Sequence, residues 1–130
     1  MLPRLINARL RQRCLLAISI TYILIAVLAL LAPQQMANGM GYVLTSSNSF
    51  SEFYAVYVGV WLATAALTLL AARRITDALL GDLSAMFVLA QPAARLLAMV
   101  FFGLPQGSML SVMLAEMVGG MLILWIRPPA

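Results

Sequence analysis

Histidine and lysine are absent from this chain of 130 residues, and cysteine occurs once, as Cys14. Without histidine or a group of cysteines, the sequence lacks the ligand sets typical of haem, zinc and non-haem iron. A single cysteine also cannot form an internal disulfide or a Cys-x-x-Cys redox pair. We therefore predict a protein with no metal or other cofactor, in which Cys14 is a small buried residue.

Charged side chains are scarce. Only 9% of the residues are charged, 64% are hydrophobic, and the mean hydropathy is +1.01. A soluble domain needs a more polar surface than this composition supplies. The sequence therefore predicts an integral membrane protein in contact with lipids. Its basic isoelectric point does not indicate a nucleic-acid partner, because the arginines cluster at the ends of apolar runs.

Four apolar runs each approach the roughly 20 residues that cross a hydrocarbon core about 30 Å thick. They cover residues 14–32, 52–72, 83–103 and 109–126. This pattern predicts an all-α fold, in which residues 1–130 form one domain, a bundle of four transmembrane helices. The short connection between the third and fourth runs makes those two helices antiparallel neighbours.

The arginines predict the orientation of the bundle. Seven of the eight flank the apolar runs on the side of the N-terminus: Arg4, Arg9, Arg11, Arg13, Arg73, Arg74 and Arg127. Basic residues accumulate in cytoplasmic segments, so we predict that both termini are cytoplasmic and that the loop 33–51 is external. The expected location is the inner (cytoplasmic) membrane of a bacterium, as a multi-pass protein.

Short polar residues predict where three of the helices begin. The stretch from Ser49 to Glu52 fits a capping box for the second helix. Asp82 is a candidate N-cap for the third helix, and Ser108 for the fourth.

Two charged residues lie inside the apolar runs. Arg95 is eight residues before Gly103 and Glu116 is eight residues after Ser108, so both lie roughly 12 Å from the same ends of adjacent helices. An unpaired charge inside a span costs about 2.5–3.5 kcal/mol. We therefore predict an ion pair between Arg95 and Glu116 that faces the bundle interior. Gln91 is one turn before Arg95 and falls on the same face.

The sequence leaves three roles open for this polar site. The ion pair fixes the register of two helices, or it belongs to a pocket for an anionic or polar head group, or it lies on a proton or ion path. Glu116 is the only carboxylate well inside a span. Transporters usually place a chain of such residues there.

Two further sets of residues recur at helical spacing. The first set lies on one face of the second run: Phe50, Tyr54, Tyr57, Trp61 and Thr64. This face could pack within the bundle or form an aromatic belt at the membrane surface. It could also form the wall of a cavity for an apolar ligand, or a docking face for a partner helix. Small residues in the second and fourth runs predict close helix packing, within the chain or between chains: Ala55, Gly59, Ala63, Ser111, Ala115, Gly119 and Gly120.

Six positions resemble an uncharacterised bacterial family, domain of unknown function family 4345: Glu52, Tyr57, Gly59, Arg95, Pro105 of a Gly-x-Pro turn, and Glu116. The family is similar in architecture to DoxX-like four-helix membrane proteins, and the resemblance covers residues 14–127. It implies the four-span fold and marks Glu52, Arg95 and Glu116 as polar positions, but it implies no known reaction. Ala94 stands before Arg95, where that family tends to have glycine.

Small size, short loops and the lack of catalytic groups predict a non-enzymatic membrane protein. We expect it to be an accessory subunit of a larger inner-membrane assembly, with another integral membrane protein as its partner or as a homo-oligomer. A third possibility, an enzyme acting on a lipid, would have to use Glu52 and Glu116. Their depths differ by about 10 Å, too far for a coupled acid and base.

The alternative from a different class is a carrier or binding protein for a lipid, a quinone or another lipophile. The head group would meet Arg95, Gln91 and Glu116. The tail would lie along an aromatic wall of Tyr54, Tyr57 and Trp61.

Overall fold

A computed structural model describes residues 2–128 of the chain, and their side chains from Asn7 onwards. Five helices account for most of this range: α1 (Leu2–Leu31), α2 (Pro33–Gly39), α3 (Ser47–Arg73), α4 (Ala78–Phe102) and α5 (Ser108–Trp125). Four of them, all except α2, are long and apolar enough to cross a membrane. The predicted all-α fold with four helices able to cross a membrane is therefore confirmed.

The four long helices run alternately up and down. α1 packs mainly on α3, and α4 packs on both α3 and α5, whereas α1 and α5 meet only loosely. We call the end that carries α2 and the α4–α5 connection the loop end. The opposite end, where α1 begins and α5 finishes, is the arginine end. The loose contact between α1 and α5 leaves the bundle partly open along one side.

Apolar side chains fill the bundle in three layers. The layer near the arginine end contains Leu15, Ala71, Ala72, Ala85 and Ile123. The middle layer contains Tyr22, Ala26, Trp61, Ala65 and Val88. The layer near the loop end contains Ala29, Ala37, Leu44 and Phe53. Many of these residues are alanines, which let the backbones approach closely.

The capping box predicted for the second span is wrong. The helix begins at Ser47, because the Ser46 side chain accepts a hydrogen bond from the Ser49 backbone N–H at 3.2 Å and Ser49 completes a capping box. Glu52 lies inside the helix and is exposed. The serine-rich stretch therefore contributes a further turn of helix to the membrane span.

The predicted caps of the third and fourth spans are also wrong. Asp77 caps α4, because its carboxylate accepts from the backbone N–H groups of Leu79 and Leu80. At the start of α5, the N-cap is Gly107, and the Ser108 hydroxyl instead donates to the Gly39 carbonyl at 2.7 Å. Ser108 thus ties α5 to α2 across the loop end.

A π-helical turn at Ala55–Val60 interrupts α3, and the Trp61 backbone N–H donates to the Val56 carbonyl. A π turn holds more residues than an α turn, so side chains four residues apart keep nearly the same direction. Phe53 and Trp61 are consequently both buried, with half-buried Tyr57 between them. Phe50, which the sequence pattern assigned to this face, is exposed.

Among the small residues predicted to pack closely, Gly120 lies at a close contact between helices. A Cβ at Gly120 would lie 2.5 Å from Cγ of Leu89, so α4 and α5 are in contact there. By contrast, Ala55, Gly59 and Ala63 are exposed. The prediction that these three residues pack against another helix of the same chain is therefore wrong. Contact with another chain remains a prediction.

We expect Gly120→Ala to lower the free energy of unfolding by about 1–3 kcal/mol, because Leu89 must leave its position to make room. Gly119→Ala is the matched control, since its Cβ would meet Cδ1 of Ile18 at 3.4 Å, an ordinary contact. Unfolding by sodium dodecyl sulfate in mixed micelles compares the two variants. Equal stability of both variants would contradict the close packing at Gly120.

Candidate functional site

Arg95 of α4 and Glu116 of α5 form an ion pair in the interior of the bundle. The Arg95 guanidinium donates to Oε2 of Glu116. The Glu116 side chain is 8% exposed and the Arg95 side chain 18%. The two charges cancel inside the span, which avoids the cost of a lone charge there.

Three further side chains extend the pair into a network to which all four spans contribute. Tyr22 of α1 donates its hydroxyl to Oε1 of Glu116 at 3.0 Å. Gln91 of α4 accepts hydrogen bonds from Arg95 at 3.4 Å and from Nε1 of Trp61 at 3.1 Å. The rings of Tyr22 and Trp61 meet edge to face, with their centroids 5.1 Å apart. The five side chains therefore form a closed ring of contacts.

Tyr22 is the member of the network that the sequence prediction missed. A signal for it exists in the sequence, because Tyr22 is nine residues before Leu31, the last residue of α1. This places it roughly 13.5 Å from the loop end of its helix, close to the depth calculated for Arg95 and Glu116. A hydroxyl at that depth needs a partner within the bundle.

A cavity of about 370 Å³ lies between α1 and α5 beside this network. Its wall includes Glu116, Tyr22 and Trp61, together with apolar side chains such as Ile18 and Val112. Exposed residues on the rim show that the cavity opens on the outside of the bundle: Thr21, Ser111 and Ala115. The loose contact between α1 and α5 therefore produces an apolar space with a polar group in its wall.

A second cavity, of about 390 Å³, continues the first towards the loop end. Both cavities share Ile25, Trp61 and Val112 in their walls. The second one extends under α2, where Met36 and Met40 line it. Together they form a groove, and the wall of its inner part contains Glu116.

Several predicted site residues lie away from this groove. Of the three residues expected to meet a head group, Glu116 lines the cavity, but Arg95 and Gln91 do not. Trp61 lines the groove as expected, whereas Tyr54 and Tyr57 are not in its wall. The two tyrosines predicted for a tail-binding wall therefore lie outside the groove, which runs between α1 and α5.

The two tyrosines contact the loop end instead. Tyr54 donates its hydroxyl to the Leu30 carbonyl at 3.2 Å. Tyr57 accepts a hydrogen bond from the Tyr42 hydroxyl, and its ring lies 4.9 Å from that of Trp61. Burial, followed by the bond to Tyr57, raises the pKa of Tyr42, so this hydroxyl stays protonated as a donor.

The other predicted positions contribute in different ways. Small residues of α5 leave room for the cavity in whose wall they lie: Ser111, Ala115 and Gly119. Thr64 is buried and donates to the Val60 carbonyl at 2.9 Å. The family-like positions Glu52, Gly59 and Pro105 are not in the wall of either cavity.

A second polar cluster lies at the arginine end. The Arg11 side chain is 1% exposed and donates to Asp82 at 2.8 Å, and Arg127 contacts the other oxygen of the same carboxylate at 2.8 Å. A Cβ at Gly81 would lie 2.6 Å from Cζ of Arg11, so glycine at this position leaves the space for the guanidinium. This cluster joins α1 and α4 to the residues after α5.

Residues 10–127, nearly the whole chain, match the family described as Domain of unknown function (DUF4345). Neither the curated proteins nor the solved structures include a match to the chain.

Proposed function

We propose that this protein, which belongs to the DUF4345 family by a match over residues 10–127, binds a lipophilic molecule in the groove between α1 and α5. One observation carries the proposal: an apolar cavity opens on the outside of a membrane bundle, and its wall contains a buried carboxylate. Binding pockets typically combine such apolar walls with a few polar groups that orient the ligand.

The charges favour an uncharged ligand. Arg95 is held by Glu116 and Gln91 and does not line the cavity, so an anionic head group would meet the Glu116 carboxylate first. The ion pair as a whole is neutral, so it does not attract an anion. An anion in the cavity would also lie closer to the negative Glu116 than to Arg95 and would be repelled. A neutral lipid, quinone or related lipophile therefore fits the groove better than a phosphate-bearing one.

We propose binding without catalysis. Glu52 is exposed on α3 and lies outside both cavities. Both oxygens of Glu116 accept hydrogen bonds, from Tyr22 and Arg95. Of the two carboxylates that an acid and base pair would have to use, only Glu116 therefore contacts the cavity.

The proposed orientation places both termini in the cytoplasm and the groove in the outer half of a bacterial inner membrane. The distribution of arginine supports it: Arg9, Arg13, Arg73, Arg74 and Arg127 are exposed at the arginine end. The segments that connect helices at the loop end contain no basic residue. The likeness to DoxX-like proteins remains a prediction from the sequence.

Filling the cavity tests the proposal. We expect Ala115→Leu to reduce the amount of co-purifying small molecule at least about tenfold, because Ala115 lines the cavity and a larger side chain there narrows its opening. Ala66→Leu is the matched control, since Ala66 is exposed and lines neither cavity. Mass spectrometry of organic extracts, normalised to protein, gives the amounts. Equal retention by the two variants would exclude the cavity as the binding site.

A second candidate is the accessory subunit predicted from the sequence. The exposed row of Ala55, Gly59 and Ala63 favours it, because small residues on the outer surface of a membrane helix allow a partner helix to approach closely. Isolation of the chain in a stoichiometric complex with another membrane protein would support this role.

A further inference from the structure

We infer that the ligand of the groove carries a hydroxyl group, as an alcohol or a phenol, and donates it to Glu116. This inference rests on the proposed function and names its ligand class. Some hydrogen-bonding groups in the cavity wall are already paired within the protein, and others remain available to a ligand.

The selectivity of such a groove depends on its polar groups. A lipophile leaving the bilayer for an apolar wall exchanges one apolar environment for another, so burial of its hydrocarbon alone gives little preference. A hydrogen bond to a charged group is stronger than one between neutral groups. The polar atoms around Glu116 therefore determine which lipophile is retained.

The donors of the wall near Glu116 are already engaged. Tyr22 donates to Glu116, Trp61 donates to Gln91, and Thr21 donates to the Ala17 carbonyl at 2.8 Å. Each of these side chains has a single polar hydrogen. Beside Glu116, a ligand that can only accept, such as a quinone carbonyl, ether or ester, would therefore have to break one of these three bonds to receive a hydrogen bond.

The acceptors near Glu116 still have capacity. A carboxylate offers about four lone-pair sites, and the Glu116 oxygens accept one hydrogen bond each, from Tyr22 and Arg95. The Tyr22 hydroxyl oxygen can also accept. A hydroxyl hydrogen of the ligand is the complement of this surface, and it adds to the existing network without displacing any member.

Ser111 does not reverse this preference. Its hydroxyl lies five residues nearer the loop end than Glu116, roughly 7.5 Å along α5. A serine hydroxyl can rotate to donate or to accept, so it accommodates either kind of ligand.

The groove also determines where the chain of the ligand lies. Towards the arginine end, the cavity stops at Ile18 and Gly119, beside the packed layer that contains Leu15 and Ile123. Towards the loop end it continues under α2, along Leu28 and the methionines at 36 and 40. The ligand therefore places its hydroxyl at Glu116 and its hydrocarbon chain towards the loop end.

A matched pair of ligands tests the inference: farnesol and its methyl ether, in which a methyl group replaces the hydrogen that the alcohol donates. Trp61 lines both cavities and reports binding through its fluorescence. The only other tryptophan, Trp125, is 85% exposed, so Trp125→Phe isolates the Trp61 signal. Titrations are performed on the full chain in phosphatidylcholine nanodiscs.

We expect farnesol to bind at least about tenfold more tightly than the ether, the ratio typical of one hydrogen bond to a charged group. Tyr22→Phe should keep this ratio, because the Glu116 carboxylate and its pair with Arg95 remain. Glu116→Gln should reduce the ratio to about threefold or less, because the amide also offers a donor. If Glu116→Gln fails to fold, the wild-type and Tyr22→Phe titrations still decide the question.

The results separate the inference from the proposed function. Equal affinity for the two ligands, or tighter binding of the ether, overturns the hydroxyl inference and leaves lipophile binding intact. Binding of neither ligand, or binding that Ala115→Leu does not weaken, overturns the proposed site and the inference with it.

Discussion

Replacing Arg95 with leucine lowers the free energy of unfolding by about 3–5 kcal/mol, the expected cost of leaving a buried carboxylate without its partner. Glu116 is 8% exposed, and among the residues that the structure describes it would retain the Tyr22 hydroxyl alone as a partner. The interior of a membrane protein offers no bulk water to compensate for the loss. Glu116→Leu should be destabilising for the converse reason, because the Arg95 guanidinium stays charged.

The double variant Arg95→Leu with Glu116→Leu distinguishes a paired charge from two independent contributions. It should be more stable than the sum of the single losses predicts, by about 2 kcal/mol or more, because no charge is left unpaired. Unfolding by sodium dodecyl sulfate, monitored by Trp61 fluorescence in the Trp125→Phe background, gives the four unfolding free energies of this double-mutant cycle. Additive losses would show that the two residues do not stabilise each other.

Replacing Asp82 with asparagine should have the second largest effect, a loss of about 2–3 kcal/mol. Asp82 forms ion pairs with two arginines, and the burial of each arginine indicates which ion pair contributes more to stability. The Arg11 side chain is 1% exposed, so Asp82→Asn leaves a buried guanidinium without its charged partner. The Arg127 side chain is 47% exposed. A solvent-exposed ion pair contributes only about 0–1 kcal/mol.

Arg127→Gln is therefore the matched comparison for Asp82→Asn. It removes the exposed bridge, leaves the bond between Arg11 and Asp82 intact, and should change stability by less than about 1 kcal/mol. The same unfolding titration measures both variants. If Arg127→Gln costs as much as Asp82→Asn, the exposed bridge rather than the buried one stabilises the arginine end.

The sequence predicts those features that depend on elementary membrane energetics. Apolar runs near the thickness of a bilayer fix the four spans, and the cost of a lone charge requires partners for Arg95 and Glu116. Their equal distance from the helix ends is enough to predict contact across an antiparallel pair. The structure places the two side chains in direct contact.

Other features follow from tertiary contacts that spacing does not reveal. The bond from Arg11 to Asp82 joins residues 71 positions apart, and it depends on which helices become neighbours. The serine-rich loop contains several equivalent caps, so the choice of Ser46 was not predictable from residue type alone. The π turn of α3 moves the buried face from Phe50 to Phe53, because it changes the number of residues per turn.

The groove itself could not be predicted from the pattern of residues. A cavity forms where two helices fail to pack, and apolar periodicity is the same whether a face meets a helix or lipid. Small side chains at Ser111, Ala115 and Gly119 suggested close packing, but in the structure they line the cavity between α1 and α5. The functional proposal therefore depends on the order of the helices around the bundle.

Native mass spectrometry of the protein, extracted gently from its own membrane at its natural level, tests most directly whether the groove holds a lipophile. We predict a chain that carries one constant additional small-molecule mass, which Ala115→Leu removes and Ala66→Leu retains. A bare chain, or a stoichiometric complex with another membrane protein and no bound small molecule, would contradict lipophile binding. The complex would support the accessory-subunit role instead.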